Sequence, residues 1–242
     1  MLRKSVRIIV LLVLLALIGN PYTVIFLRQS WYDILHPNPT VIQNSEIDQI
    51  LKRWKMVAFS DLPAAYIKAT ESDLPKYRKM LSSARYYQIP NTDLFQKIAG
   101  DFRIRDFVSR DWVYWKAVYG LEEEVFWLTD VRMLKKLVAL QEILRQTGNR
   151  PDAFRIRYAH RDPRLNREVN GVGNSRHILG QAVDLVIGDV DGNGRYTGAD
   201  KAIVLKILEE KVIRDAGGVG RYPGSRTVHF DTRGYRARWD AQ

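Results

Sequence analysis

Three side chains in the C-terminal half of the chain have the types and spacing to bind a transition metal. His177 ends a polar loop, Asp184 lies in an apolar segment that alternates like a strand, and His229 lies in another such segment. An aspartate within an apolar strand is unfavourable unless it is paired or metal-bound. Two imidazoles and one carboxylate, with water in the fourth position, form an open tetrahedral zinc site. Taken alone, the same three residues are also compatible with structural side chains that are satisfied by hydrogen bonds.

Asp231 lies two residues after His229, so both side chains project to the same face of a strand. This placement allows two roles, and the sequence does not choose between them. Asp231 could act as a general base in the reaction. It could instead accept a hydrogen bond from His229 and orient that ring.

The residues around these side chains form five ordered motifs. They are Arg161-Asp162-Pro163-Arg164-Leu165-Asn166, then S-x-H-x-x-G-x-A-x-D (Ser175, His177, Gly180, Ala182, Asp184), Gly217-Gly218-Val219-Gly220-Arg221-Tyr222-Pro223, His229-Phe230-Asp231-Thr232 and Arg238-Trp239. Over residues 102 to 239 the chain resembles the zinc D-alanyl-D-alanine carboxypeptidase and murein endopeptidase superfamily, which has a hedgehog-like zinc peptidase fold. More closely it resembles the D-Ala-D-Ala carboxypeptidase family metallohydrolases of the cell envelope.

The resemblance implies a function and a set of roles. His177, Asp184 and His229 match the zinc ligands, and Arg161 matches the arginine that binds a substrate carbonyl or carboxylate. The implied reaction is hydrolysis of an amide bond in peptidoglycan peptide stems or cross-links. A fixed guanidinium would offset the negative charge that develops in the tetrahedral intermediate.

The chain departs from the family pattern in two places, and the first departure favours an alternative function. Many members carry Glu or His shortly before the last ligand as general base, whereas this chain has Arg226 and Thr227 there. His160 replaces a family tyrosine before the arginine. The alternative is a catalytically weak, zinc-stabilised domain that binds wall peptide or a protein partner.

A second metal motif follows the strand of Asp184. Residues 189 to 200 read as a twelve-residue EF-hand-like loop that resembles the calcium loop of dockerin modules. The predicted Ca²⁺ ligands are Asp189, Asp191, Asn193, Arg195 through its backbone carbonyl, Thr197 and Asp200. An Asp- and Asn-rich turn without metal is the other interpretation.

The N-terminus predicts export and a membrane anchor. A short basic segment precedes residues 8 to 27, which carry no charge and are about long enough to span a bilayer. A cleaved signal peptide is the alternative, although no A-x-A arrangement of small residues follows the apolar core. We therefore expect a single-pass protein of the cytoplasmic membrane with its C-terminal domain in the periplasm or extracytoplasmic space.

Composition and periodicity complete the prediction. The 242 residues carry a formal charge of +11 and no cysteine, so disulfides and thiolate metal sites are excluded. The charge alone would suit nucleic acid, but no recognition motif is present and the export signal argues against that partner. Strands are predicted at 154–158, 182–187 and 226–231, with helices at 131–147 and 199–215.

These patterns predict an α+β fold in which a small antiparallel-sheet zinc peptidase domain has flanking helices. The domain occupies residues 101–242 and contains the calcium-loop insertion at 189–200. A membrane anchor or signal segment at 1–30 and a helical juxtamembrane region at 31–100 precede it, with a linker from Trp31 to about Thr40 that includes the prolines after His36.

Overall fold

The computed structural model describes residues 19–37 and 41–240, and this part of the chain has the α+β fold that the sequence predicts. The helices are α1 (Pro21–Leu35), α2 (Asn44–Leu51), α3 (Ala64–Ala69), α4 (Pro75–Leu81), α5 (Ile104–Phe107), α6 (Trp112–Val118), α7 (Val131–Gln146), α8 (Pro163–Glu168) and α9 (Gly198–Ile207). Short 3-10 turns occupy Phe59–Asp61 and Asn91–Phe95, and a π-helical turn, Leu208–Val212, continues α9.

The strands form three sheets. They are β1 (Met56–Ala58), β2 (Arg85–Pro90), β3 (Lys97–Ala99), β4 (Phe102–Arg103), β5 (Glu124–Trp127), β6 (Phe154–Tyr158), β7 (Ala182–Ile187), β8 (Gly218–Arg221), β9 (Thr227–Asp231) and β10 (Ala237–Asp240). The largest sheet has the order β10-β8-β9-β7-β6. Four of its strands are antiparallel as predicted, whereas β10 runs parallel to β8, so the sheet is mixed.

The central strands of this sheet place the candidate ligands. Strands β7 and β9 pair with Asp184 directly opposite His229, and Gly220 of β8 lies on the other side of His229. Directly opposed residues of antiparallel strands have neighbouring side chains on one face. The register therefore brings Asp184 and His229 together, although they are 45 residues apart in the chain.

The elements predicted from periodicity are confirmed with small changes of boundary. The strands at 154–158 and 182–187 have the predicted limits, and the third begins at Thr227. Helix α7 starts where the Asp130 side chain accepts a hydrogen bond from the backbone N–H of Arg132. It buries Leu134, Leu137 and Leu144 against the sheet side of the core, as its spacing predicts.

The prediction of a wholly helical region at 31–100 is wrong. Four helices reach into this region, but strands β1, β2 and β3 also lie in it. Strand β2 pairs with both β1 and β5, and the buried core contains residues from both sides of position 100. Short apolar segments fit both a helix and a strand, and here the pairing with β5, far along the chain, decides for the strand.

The N-terminal predictions fall partly outside the described residues. Residues 1–18 of the predicted anchor and residues 38–40 of the predicted linker lie outside the described residues. Trp31 to Leu35, predicted as linker, belong to α1. This helix begins after Asn20, whose side chain accepts a hydrogen bond from the backbone of Tyr22. In the described part of the chain, no helix has the length and apolar character that crossing a membrane requires.

Candidate metal centre

Three potential ligand atoms converge at the centre of the β7–β9 face. Nε2 of His177 lies 3.2 Å from Nδ1 of His229, and Oδ1 of Asp184 lies 2.8 Å from that same Nδ1. Nε2 of His177 is 3.2 Å from Oδ1 of Asp184. All three residues are at least nine-tenths buried. Two nitrogens and one carboxylate oxygen this close together are a donor set that suits Zn²⁺.

The ring nitrogens that point away from this centre are also held. Nδ1 of His177 lies 2.6 Å from the carbonyl oxygen of Ala159, and Nε2 of His229 lies 3.1 Å from Oδ2 of Asp231. A proton on each of these outer nitrogens leaves the inner nitrogen with a free lone pair. Metal-binding histidines are oriented in this way by carbonyl or carboxylate partners. The residues therefore fit a metal ion.

The electrostatics of His177 and Asp184, but not those of His229, favour the protonation states that metal binding needs. Burial lowers the pKa of His177 and so favours the neutral imidazole. Burial would raise the pKa of Asp184, but contacts with His177 and His229 hold it well below its usual range. Burial would likewise lower the pKa of His229, whereas hydrogen bonds with Asp184 and Asp231 raise it.

Asp231 lies behind His229, on the side away from the other two ligands. Its carboxylate is fully buried, accepts a hydrogen bond from the backbone N–H of Gly218 at 3.1 Å and forms a 2.6 Å ion pair with Arg233. Burial would raise the pKa of Asp231, but His229 and Arg233 hold it well below its usual range. These contacts favour the orienting role over that of a general base.

Two glycine motifs allow the chain to approach itself closely around the centre. Gly180 has a φ of +63°, and a Cβ there would lie 2.3 Å from the carbonyl oxygen of Leu128. A Cβ on Gly220 would lie 2.7 Å from the indole of Trp239, whose ring packs 5.2 Å from that of His229. The glycines therefore position the strand of Asp184 and the aromatic neighbour of His229.

A pocket of about 710 Å³ opens above the three ligands. Four arginines line it: Arg157, Arg161, Arg176 and Arg233. Its aromatic lining consists of Tyr158, Tyr222, Tyr235 and Trp239. Arg233 is neutralised by Asp231, whereas the other three arginines have no carboxylate within ion-pair distance in residues 19–37 and 41–240. Asp184 is the only carboxylate that lines the pocket within those ranges.

Arg161, for which the resemblance implies a role in binding a substrate carbonyl or carboxylate, lines the pocket. Its backbone N–H donates to the carbonyl of His177 at 3.2 Å, and its Nη2 donates to Oγ of Ser175 at 3.3 Å. Its Nε is buried and has no hydrogen-bond partner. Burial lowers the pKa of Arg161, while the nearby Asp184 opposes this effect. A buried donor without a partner is available to a ligand in the pocket.

No role was predicted from the sequence for Tyr222, Arg157 or Arg176. Tyr222 is half-buried, and burial, followed by the charge of Asp184, raises its pKa to about 12. Its hydroxyl therefore stays protonated at neutral pH. Two of these residues could have been found by their position near a motif. Tyr222 belongs to the glycine-rich motif, and Arg176 directly precedes His177.

The predicted calcium loop joins β7 to α9. Carboxylate oxygens of Asp189, Asp191 and Asp200 lie within 4.8 Å of one another. Asp200 caps α9: burial would raise its pKa, but backbone hydrogen bonds from Asp191, Thr197 and Val190 lower it. Oδ1 of Asp189 is buried without a partner, and Oδ2 pairs with Arg150 at 3.3 Å. The remaining predicted ligands, Asn193, Arg195 and Thr197, lie in the same loop.

Comparisons with known proteins give no match: no protein-family model, no curated protein and no solved structure matches this chain.

Proposed function

We propose that this chain is a zinc-dependent peptidase that hydrolyses an amide bond in the peptide stems or cross-links of peptidoglycan. The observation that carries the proposal is the convergence of His177, Asp184 and His229 at the floor of a basic pocket. The orienting contacts of both imidazoles support a metal centre rather than an isolated buried ion pair. The pocket leaves room for a substrate beside these residues.

The residues of the pocket have separate roles in this proposal. His177, Asp184 and His229 would hold Zn²⁺, which lowers the pKa of a bound water to about 7 and polarises a carbonyl. Arg161 offers a guanidinium to the negative charge that develops on the carbonyl oxygen. Tyr222 lines the same pocket, and its protonated hydroxyl can donate a hydrogen bond to that oxygen.

The charge of the pocket supports an acidic peptide as substrate. Arg157, Arg161 and Arg176 are unpaired within the described residues, and a guanidinium binds a carboxylate through two parallel hydrogen bonds. All three line the pocket, and Nη2 of Arg176 donates to the hydroxyl of Tyr235 at 3.5 Å. A peptide with free carboxylates would thus find several basic groups around the candidate metal centre.

One observation favours a second candidate function, a zinc-stabilised domain that binds wall peptide without cleaving it. Apart from the three ligands, no Asp, Glu or His lines the pocket in the described part of the chain. Arg226, at a position where relatives of the suspected family carry a base, stacks on the ring of Tyr196 at 4.4 Å. A pocket without a general base would bind a peptide and hydrolyse it slowly or not at all.

Digestion of isolated wall sacculi separates the two candidates. The purified, zinc-loaded protein is expected to release peptide fragments that mass spectrometry identifies, and His229→Ala is expected to abolish both release and zinc binding. His36→Ala, at an exposed histidine far from the pocket in the sequence, is the matched control and retains release. Cooperative thermal unfolding of His229→Ala shows that the variant is folded. Binding of sacculi by the wild type without any release would establish the binding function instead.

We also propose that the protein acts at the outer face of the cytoplasmic membrane, held there by residues 8 to 20, the part of the uncharged run that precedes α1. The run and its basic flank support this location. Full-length protein should sediment with membranes and resist extraction by high salt. Extraction by salt would show that the association is electrostatic only.

A further inference from the structure

Helix α1 has an apolar outer face. Six of the thirteen exposed large hydrophobic side chains in the described residues belong to this helix of 15 residues. They are Tyr22, Phe26, Leu27, Trp31, Ile34 and Leu35, with exposed fractions between 54% and 78%. Soluble surfaces rarely concentrate large apolar side chains in this way. We therefore expect the outer face of α1 to be covered by a partner.

Two charged side chains of α1 attach the helix to the rest of the protein. The guanidinium of Arg28 donates to the carbonyl oxygens of Ala117 and Val118, both at 2.7 Å, at the end of α6. Asp33 forms a 3.0 Å ion pair with Arg103. Because these contacts fix the rotation of the helix, the outer face cannot turn toward the core.

Exposed large apolar side chains also lie in α6 and just after it, and Arg28 joins α1 to the end of α6. Exposed fractions are 44% for Trp112, 39% for Tyr119 and 74% for Leu121, and the hydroxyl of Tyr119 donates to the carbonyl of Gly19 at 3.0 Å. Nζ of Lys116 lies 4.2 Å from the centre of the Trp112 ring. We call the outer face of α1 together with Trp112, Tyr119 and Leu121 the α1–α6 surface. It combines tryptophan, tyrosine and aliphatic side chains with a neighbouring cation.

This composition matches a lipid bilayer. Tryptophan and tyrosine concentrate at the boundary between headgroups and acyl chains, and helices with an apolar face and nearby basic residues lie in that boundary. The sequence immediately before α1, residues 8 to 18, is uncharged and apolar. The chain also carries a net charge of +11, which favours anionic lipid.

The orientation follows from where α1 begins. Asn20 has an extended backbone and caps the helix, so α1 begins at Pro21. Its exposed apolar residues run from one end to the other, over about 20 Å. We infer that α1 lies along the surface of an anionic bilayer, with the α1–α6 surface in the headgroup–acyl boundary. This inference rests on the proposed membrane location and adds a fixed placement of the folded protein on the membrane.

Spin labels can measure this placement, because the chain has no cysteine and each label site is unique. Phe26→Cys and Ile34→Cys report on the two ends of α1, and Leu121→Cys reports on the adjoining region. Val172→Cys, exposed by 69% at the rim of the pocket, is the control. The full-length protein is placed in phosphatidylcholine vesicles that contain phosphatidylglycerol. The ratio of oxygen to nickel-chelate accessibility then gives the depth of each label.

The inference predicts similar ratios at 26, 34 and 121, each several-fold above the ratio at 172. A lipid-buried label at 26 with water-exposed labels at 34 and 121 would overturn it, since α1 would then cross the membrane boundary. Dipolar broadening between copies at high lipid excess would also overturn it, because a second copy would cover the surface. Failure of the protein to sediment with the vesicles would instead reject the proposed membrane location itself.

Discussion

His229 contacts a carboxylate through each of its ring nitrogens, and the two carboxylates have different surroundings. Asp184 lies on the side of His177, whereas Asp231 lies on the far side and is also paired with Arg233. A base that activates water must reach the substrate pocket, and Asp231 does not line it. Asp231 is therefore expected to act through His229, by fixing the orientation of the ring and the position of its proton.

Asp231→Asn should weaken zinc binding about 10- to 100-fold, the usual effect of removing a carboxylate behind a metal-binding histidine. Asn keeps the size of the side chain but loses the negative charge that stabilises the proton on Nε2. Competition with a chelator measures the affinity. Asp240→Asn, which removes an exposed carboxylate paired with Arg221, is the control. Unchanged affinity together with a large loss of turnover would assign Asp231 to catalysis instead.

At the residue scale, the sequence predicted the three candidate ligands because His177 and Asp184 occupy a spaced motif and His229 a strand. It could not show that Asp184 and His229 are direct cross-strand partners, because register depends on contacts between distant segments. The role of Asp231 stayed open for a related reason. Same-face geometry does not show which nitrogen of His229 the carboxylate meets.

A pair of acidic side chains joins α6 to α8. Asp111 caps α6, Asp162 caps α8, their carboxyl groups interact with each other, and Oγ of Ser109 donates to Asp162. Burial, and then the charge of Asp162, raises the pKa of Asp111 to about 7. Tyr66 and Tyr86 face the pair, and each has a raised pKa because of burial.

This pair predicts a dependence of stability on pH. The folded protein retains a proton on Asp111 that the unfolded chain loses above about pH 4. The free energy of unfolding should therefore fall as the pH rises from about 4 to about 7, and then level off. Denaturant titrations at several pH values measure this slope.

Asp111→Asn should reduce that slope, because Asn caps a helix as well as Asp and carries no titrating group. Asp152→Asn, at an exposed residue, should keep the wild-type slope. Each variant lacks one titratable group of the wild type. All other groups therefore contribute equally to the two slopes. Equal slopes in wild type and Asp111→Asn would show that the pair does not hold a shared proton.

The loop between β7 and α9 remains a predicted calcium site. Bound Ca²⁺ would offset the repulsion among Asp189, Asp191 and Asp200 and stabilise the connection to the strand of Asp184. Millimolar calcium should therefore raise the Tm of the protein, and Asp189→Ala with Asp191→Ala should remove the increase while zinc stays bound. Asp152→Asn serves again as the control. An unchanged Tm in protein freed of carried-over ion would support a metal-free turn.

At the element scale, local pattern predicted β6, β7 and α7 because each carries enough periodic residues to define its own type. Strand β2 was missed because its six residues become a strand through pairing with β5 and β1. Strand β10 runs parallel to β8, which the predicted antiparallel sheet did not include. Neither pairing leaves a signal within the segment itself.

At the scale of the whole molecule, residues 41–100 are part of the protein core and do not form a separate stalk. Ile42 bridges to Gly100, α2 packs on α7, and Trp127 of β5 is buried beside Tyr87 of β2. The sequence predicted residues 101–242 as one unit but did not predict that residues 41–100 pack into the same core. The pattern of apolar residues describes each segment by itself, whereas the core is assembled from segments that lie far apart in the chain.

The central proposal is that zinc held by His177, Asp184 and His229 supports hydrolysis of wall peptide. The most direct measurement is a zinc titration of chelator-treated protein, with peptide release from sacculi and bound zinc measured in the same samples. Peptide release is expected to rise with bound zinc, to stop rising at one equivalent of zinc per protein, and to be absent in His229→Ala. Full occupancy of the site by zinc without release of any fragment would contradict it.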